Sequence, residues 1–302
     1  MGGVPARRAG ALILLILLLV GGLTSCLARR RVITRKGANG STSLITADKT
    51  SLIERIRLQY ARVRDLSATV DMVPALGTAE KSKITEYKDV RGYILFRKPN
   101  QIRIIGLYPV VRNKAFDMVS DGKTFRLYVP VKDRFITGLN EAPLPPSKNK
   151  LENLRPQHFV DALFIEPPKA NGEHAVLENL TDEDDANYIV HLIADGPKGE
   201  LRLARSVWFD RLNLGLVRQL VYDAAGNILT DARYRDWQVY DGIPFPKQID
   251  ITRPQDEYAV VLTIAKMDVN KGIGDDKFIL EQPEGSTLQV LSDKSERPQK
   301  KQ

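Results

Sequence analysis

Hydrophobic positions follow three different rhythms along the chain. Residues 11–20 (ALILLILLLV) form an uninterrupted apolar run that Gly21 and Gly22 break. In residues 51–63, Leu52, Ile53, Ile56, Tyr60 and Val63 recur at close to helical spacing, which predicts an amphipathic helix. Ser51 or Thr50 would cap it, and Glu54, three residues after Ser51, would complete a capping box. From Leu66 onward the period falls to two. Residues 67–73, 87–97, 101–107, 116–120 and 124–129 read as strands, with Lys98-Pro99-Asn100 and Asp121-Gly122 as turns between them. Within 124–129, Phe125, Leu127 and Val129 fall on one face, and Thr124, Arg126 and Tyr128 on the other.

The middle of the chain changes character. Residues 141–150 (EAPLPPSKNK) are a proline-rich loop. Residues 151–165 read as a second helix with Leu154, Phe159, Leu163 and Phe164 as its apolar side, stopped by Pro167-Pro168. Strands resume at 174–180, 186–193, 200–210, 216–222, 228–234, 247–252 and 258–268, with turn signals between most of them. Short strands at this spacing, without alternating helices, predict an antiparallel sheet in a mainly β, α+β fold. No internal repeat or domain linker interrupts it.

The first apolar run belongs to a different kind of segment. Arg7 and Arg8 precede it and small residues follow, the order of a secretory signal. It is shorter than the roughly 20 residues of a spanning helix. Leu23-Thr24-Ser25-Cys26 then resembles a bacterial lipobox, and Cys26 is the only cysteine of the 302 residues. The expected organisation is a lipoprotein signal over 1–25, a lipidated basic and flexible tether over 26–49, a folded domain over 50–290 and a disordered tail over 291–302. A single cysteine excludes an internal disulfide framework and a cysteine-built zinc site. Removing Arg7 and Arg8 with the signal lowers the net charge from +8 to +6. Arg29, Arg30, Arg31, Arg35 and Lys36 lie beside Cys26, where anionic headgroups would meet them. The remaining charge is small, so nucleic acid is not an expected partner. Leu27, rather than Asp, follows the cysteine, which favours the outer membrane, facing the periplasm.

Catalytic chemistry is hard to place. The chain has no phosphate-binding glycine loop, no G-x-S-x-G and no H-E-x-x-H. His158, His174 and His191 fall on different elements, and Asp182-Glu183-Asp184-Asp185 reads as a solvated hairpin tip. No enzyme activity, metal or cofactor is expected. What stands out is apolar: Ile94, Phe96, Ile102, Ile104, Phe116, Met118, Phe125 and Leu127 would line one face of a contiguous sheet. That face is either packed core or the concave side of a sheet that accepts acyl chains.

The stretch Tyr93-Ile94-Leu95-Phe96-Arg97-Lys98-Pro99-Asn100-Gln101-Ile102-Arg103, followed by Val119-Ser120-Asp121-Gly122-Lys123-Thr124-Phe125-Arg126-Leu127-Tyr128-Val129-Pro130, resembles the central strands of the outer-membrane lipoprotein carriers of the Lol system. Phe278-Ile279-Leu280-Glu281-Gln282-Pro283-Glu284-Gly285 is similar to that family's final strand and its close. The likeness runs over about 50–290 and is densest over 92–130. It implies a LolA/LolB-like antiparallel half-barrel of about eleven strands covered by helices, with a cavity for the acyl chains of lipoproteins or lipids. It further implies a monomer that meets a periplasmic carrier protein. Arg97, Lys98 and Pro99 are the turn and gating candidates; the carrier branch has Arg immediately before the proline, where Lys98 stands here. Cys26 points to the lipid-anchored, receptor-like branch. Two functions lead from the sequence, ahead of an envelope enzyme whose converging polar cluster no motif locates: transfer of acyl-bearing cargo into the membrane, or an anchored interaction or sensor module with a filled interior.

Overall fold

Alternating polar and apolar positions become one large twisted sheet in a computed structural model, which describes residues 43–78, 83–109, 111–140, 154–182 and 184–291. Cys26, the expected signal and most of the tether, the loop 141–150 and the tail beyond Leu291 lie outside the described residues. The chain from Leu44 onward clusters as a unit of its own.

The strands are β1 (Asp65–Thr78), β2 (Lys83–Glu86), β3 (Val90–Arg97), β4 (Gln101–Leu107), β5 (Lys114–Ser120), β6 (Thr124–Val129), β7 (Arg134–Leu139), β8 (Glu173–Thr181), β9 (Ala186–Asp195), β10 (Leu201–Asp210), β11 (Leu216–Tyr222), β12 (Ile228–Tyr240), β13 (Ile243–Arg253), β14 (Tyr258–Val269) and β15 (Thr287–Leu291). Their order in space is β15-β7-β6-β5-β4-β3-β1-β14-β13-β12-β11-β10-β9-β8, with β2 paired to β1. Two meanders, β3–β7 and β8–β14, thus flank the first strand. Every pairing is antiparallel except β15 with β7. The result is an open half-barrel with helices on its concave side.

Among the described residues fifteen strands stand where the resemblance implied about eleven and the alternation marked twelve. β2, β7 and β15 are the additions. All three are short, and β15 carries exposed Leu288 and Val290, so none shows a clean buried face. The segment expected as the last strand, residues 278–285, is not one. Asp275–Phe278 is a 3-10 turn, and the chain then crosses the convex face as an irregular strap. Pro283 suits a strap better than a ladder. Its carbonyls are held by arginines instead: Arg103 donates to Lys277 and Ile279, and Arg126 donates to Leu280. Leu280 packs with Val119 and Phe135 in a small outer cluster. Beneath the strap, Arg103 grips the buried Asp117 with two hydrogen bonds of 2.9 and 2.8 Å. Burial pushes the Asp117 carboxyl upward, yet the hydrogen bonds from Arg103 and Lys114 outweigh it and hold the group below the usual carboxylate range.

Helix α1 (Lys49–Arg62) starts two residues before the expected position. Its cap is Asp48, whose carboxylate accepts from the Ser51 amide at 2.7 Å and the Ser51 hydroxyl at 2.6 Å. Ser51 is therefore inside the helix, and Glu54 pairs with Arg57 rather than closing a capping box. A carboxylate acceptor at this position stabilises a helix start by about 1 kcal/mol. Leu52 and Ile56 are its fully buried residues. Helix α2 (Pro156–Leu163) is shorter than the expected 151–165: Leu154 and Arg155 are not helical, and Pro156 occupies the first turn, where its missing N–H costs nothing. The Tyr234 hydroxyl donates to the Ala162 carbonyl at 2.9 Å, fixing the far end of α2 to β12. Phe164, just beyond, stacks on Phe96 with ring centroids 4.0 Å apart.

Candidate functional site: an apolar cavity beside the second helix

The concave face is packed unevenly. Under α1, where Gln59, Tyr60 and Val63 meet Leu163 and Phe245, the remaining space is about 20 Å³. Beside the start of α2 the side chains leave a cavity of about 480 Å³. This lies within the roughly 300–1,000 Å³ of small-molecule sites. Its inner wall is Met72 on β1, Val90 on β3, Phe116 and Met118 on β5, Leu127 on β6 and, across β1, Val260 on β14; Leu154 and Phe159 close it from the helix side. Tyr87, Lys88, Tyr108, Pro109, Val131 and Lys132 line it and are exposed, so they form the mouth. Val131, 74% exposed, is a large apolar group facing water there.

Two glycines deepen the floor. Gly92 on β3 and Gly106 on β4 are cross-strand partners on the concave face. A Cβ on Gly106 would lie 2.3 Å from the Phe116 ring, and one on Gly92 would lie 2.5 Å from the Met72 methyl. Both cavity-lining side chains therefore lie flat over bare backbone instead of standing up into the space.

The eight apolar residues singled out in the sequence all lie on this concave side, and their roles divide. Phe116, Met118 and Leu127 border the cavity. Phe96 is covered by Phe164, and Phe125 lies under the Arg155 guanidinium at 4.5 Å. Ile94, Ile102 and Ile104 are sealed into the core, Ile94 beside a void of about 10 Å³. Met72, Val90 and Val260 complete the lining; alternation of β1, β3 and β14 carried that signal, but the sequence pattern could not say which stretch of the face α2 leaves open.

The turn candidates also separate. Arg97 points to the strap, donating to the Ile273 carbonyl at 2.7 Å, pairing with Asp275 and lying 5.1 Å over the Phe278 ring. Lys98 points to α1, with its ammonium 3.7 Å over the Tyr60 ring and donating to the Tyr60 carbonyl. Burial pushes the Lys98 pKa down. The Lys98–Pro99 peptide is cis. Neither cation lines the cavity.

A polar cluster pins the first turn of α2. Arg253 donates to His158 Nε2 at 3.0 Å and to the Thr230 hydroxyl at 2.7 Å, and it pairs with Asp256 at 2.7 Å. With Nε2 accepting, the His158 Nδ1–H is left to donate to the Tyr258 hydroxyl. Burial, then Arg253 and Arg155, push His158 well below its ordinary pKa, so the ring is neutral. Burial likewise pushes Tyr258 up, and it lowers Arg155 to about 10. The other histidines sit elsewhere, His174 against Asp195 and His191 between Ser206 and Glu178. Asp182 accepts from the Asp184 and Asp185 amides at the β8–β9 hairpin. Among the described residues no group of three or more His, Cys, Asp or Glu side chains could hold a metal ion.

No family model matches this chain, and no curated protein matches it. Solved structures do. A DUF1329 family protein from Desulfovibrio piger is 14% identical, with 76% of this chain and 95% of that one covered, at a TM-score of 0.51. The two share one fold, an open antiparallel sheet curved around helices. A LolA superfamily protein from Nitrosomonas europaea is also 14% identical, over 78% of this chain and 99% of that one, at a TM-score of 0.48. At these identities the likeness concerns the backbone architecture, an open antiparallel sheet around helices, and the side chains of the cavity are this chain's own.

Proposed function

We propose that this protein is a bacterial envelope lipoprotein, anchored through Cys26 to the periplasmic face of the outer membrane, that takes acyl chains of lipoproteins or lipids into its cavity and assists their transfer. The observation that carries the reading is the 480 Å³ apolar space with an exposed, partly apolar mouth. Each methylene removed from water contributes about 0.8 kcal/mol, so burying about a dozen offsets roughly 10 kcal/mol of exposure. A carrier must supply that surface without covalent chemistry, and the lining does so. Lys88 and Lys132 at the mouth would meet the polar end of a chain whose tail lies inside. Anchoring at the acceptor membrane would keep delivery local by raising effective concentration.

Protein lacking residues 1–26 is expected to take up a fluorescent acyl probe. Leu127→Trp, which fills the inner wall, is expected to weaken uptake severalfold while the circular dichroism spectrum stays unchanged. Equal uptake by both proteins would place the probe elsewhere and sink the reading. A second reading is favoured by the nearly closed space under α1: an anchored interaction or sensor module that binds envelope proteins through its surface. Absence of probe binding, with other envelope proteins retained on the folded domain, would select it.

A further inference from the structure

Helix α2 divides the concave side into two unlike spaces. Phe159 faces the apolar cavity. Asp161, roughly 200° further around the helix, lines a separate chamber of about 250 Å³ against β10 and β11, with Arg205, Gln219 and Tyr222 among its walls. The segment after α2 is clamped over it. Arg205 donates to the Glu166 carbonyl at 2.7 Å and pairs with Glu173 at 3.0 Å, and Glu173 also accepts from the Lys169 amide at 2.9 Å.

The deep wall of this chamber has an unmet need. Gln219 is only 2% exposed, and its amide N–H₂ donates to the Asp161 carbonyl at 2.9 Å. Its carbonyl oxygen Oε1 has no hydrogen-bond partner. A buried acceptor without a donor destabilises the fold, unless a ligand or solvent completes it. Beside it stands Asp161, with one carboxylate oxygen accepting from Gln157 at 2.8 Å; burial pushes this carboxyl upward, a penalty that an adjacent cation would relieve. Acceptors thus gather on the inside. Lys169 and Arg202 line the same chamber, are exposed, and have no ion-pair partner among the described residues.

We infer that this chamber binds a small zwitterion, a primary ammonium donating to Gln219 Oε1 and Asp161 and a phosphate held by Lys169 and Arg202, the chemistry of phosphoethanolamine. The volume suits a molecule of that size and not an acyl chain. Two sources present the same group, the free zwitterion and the headgroup of an ethanolamine lipid. The site does not depend on the acyl-chain reading.

The test uses the full-length chain in nanodiscs of phosphatidylglycerol, titrated calorimetrically with O-phosphoethanolamine. Saturable binding is expected, with ethanolamine or inorganic phosphate alone weaker by roughly tenfold or more, because each leaves half of the charge-assisted contacts unmade. Gln219→Leu should abolish the binding. The double variant K169M/R202M changes only exposed side chains and should weaken it about tenfold while leaving acyl-probe uptake intact; it carries the test alone if Gln219→Leu does not fold. Loss of the titration signal in phosphatidylethanolamine nanodiscs assigns the headgroup as the source, and an unchanged signal assigns the free zwitterion. No saturable heat at millimolar ligand, or equal affinity in wild type and K169M/R202M, overturns the inference and leaves solvent as the occupant.

Discussion

Gly92 and Gly106 face each other across two strands, and each is covered by a neighbour's side chain rather than by one of its own. The cavity owes its depth to that exchange. Gly106→Val would drive the Phe116 ring off the backbone and into the space it now borders. The expected result is acyl-probe uptake reduced severalfold, with stability lowered by about 1–3 kcal/mol as for other overpacked sites. Unfolding midpoints and probe titrations check both, and undiminished uptake would show that Phe116 does not limit the space. Which face these residues occupy was legible from alternation alone. That Phe116 borders open space while Phe96 is sealed was not, because Phe164, the side chain that covers Phe96, arrives from a distant part of the chain. Arg97 and Lys98 teach the same point. Adjacent in sequence, they hold opposite covers: the strap outside and α1 inside.

At the scale of elements, periodicity found both helices and most strands but misplaced their ends. Asp48 caps α1 from outside the apolar pattern, and Pro156 sets the start of α2 by its ring rather than by hydrophobic spacing. β15 escaped notice because it is stabilised by backbone pairing with β7 and by Arg134, which donates to Gln289, more than by any buried face. Its position gives it a task. It covers the outer edge of β7, and bare edges pair with other chains. A chain ending at Ser286 is expected to keep its far-ultraviolet spectrum and to self-associate, read by light scattering after size exclusion. A truncated protein with the same apparent mass as wild type would argue that the β7 edge is harmless without its guard.

For the molecule as a whole, two half-buried groups on α2, His158 and Asp161, make folding depend on pH in opposite senses. The folded-state pKa of His158 lies below its unfolded value, so the unfolded chain takes up a proton first as pH falls below about 6.5. Stability contributed by the neutral ring is complete above that point and is lost on acidification. Asp161 is raised, so its contribution is present below about 3.8 and fades as pH climbs through its folded value. Across pH 8 to 5 the histidine's own contribution falls on acidification. The melting temperature of wild type should fall across this window, and His158→Gln, which cannot gain a charge, should flatten the decline. An identical slope in the variant would assign the dependence to other groups. Sequence reading reached the architecture here, yet this cluster joins α2, β12, β13 and β14, and no local pattern announces such a meeting.

The central place of β1 bears on how the molecule is made. Leu66 lies beside Phe96 on one side and Val269 on the other. A polypeptide delivered from its N-terminus offers β1 and β3 early, whereas β14 arrives after nearly all the rest. Until then one flank of β1 is a bare template, open to any passing strand. Assembly of the second meander is therefore a late event, and yield will be decided by whatever shields that flank while synthesis finishes.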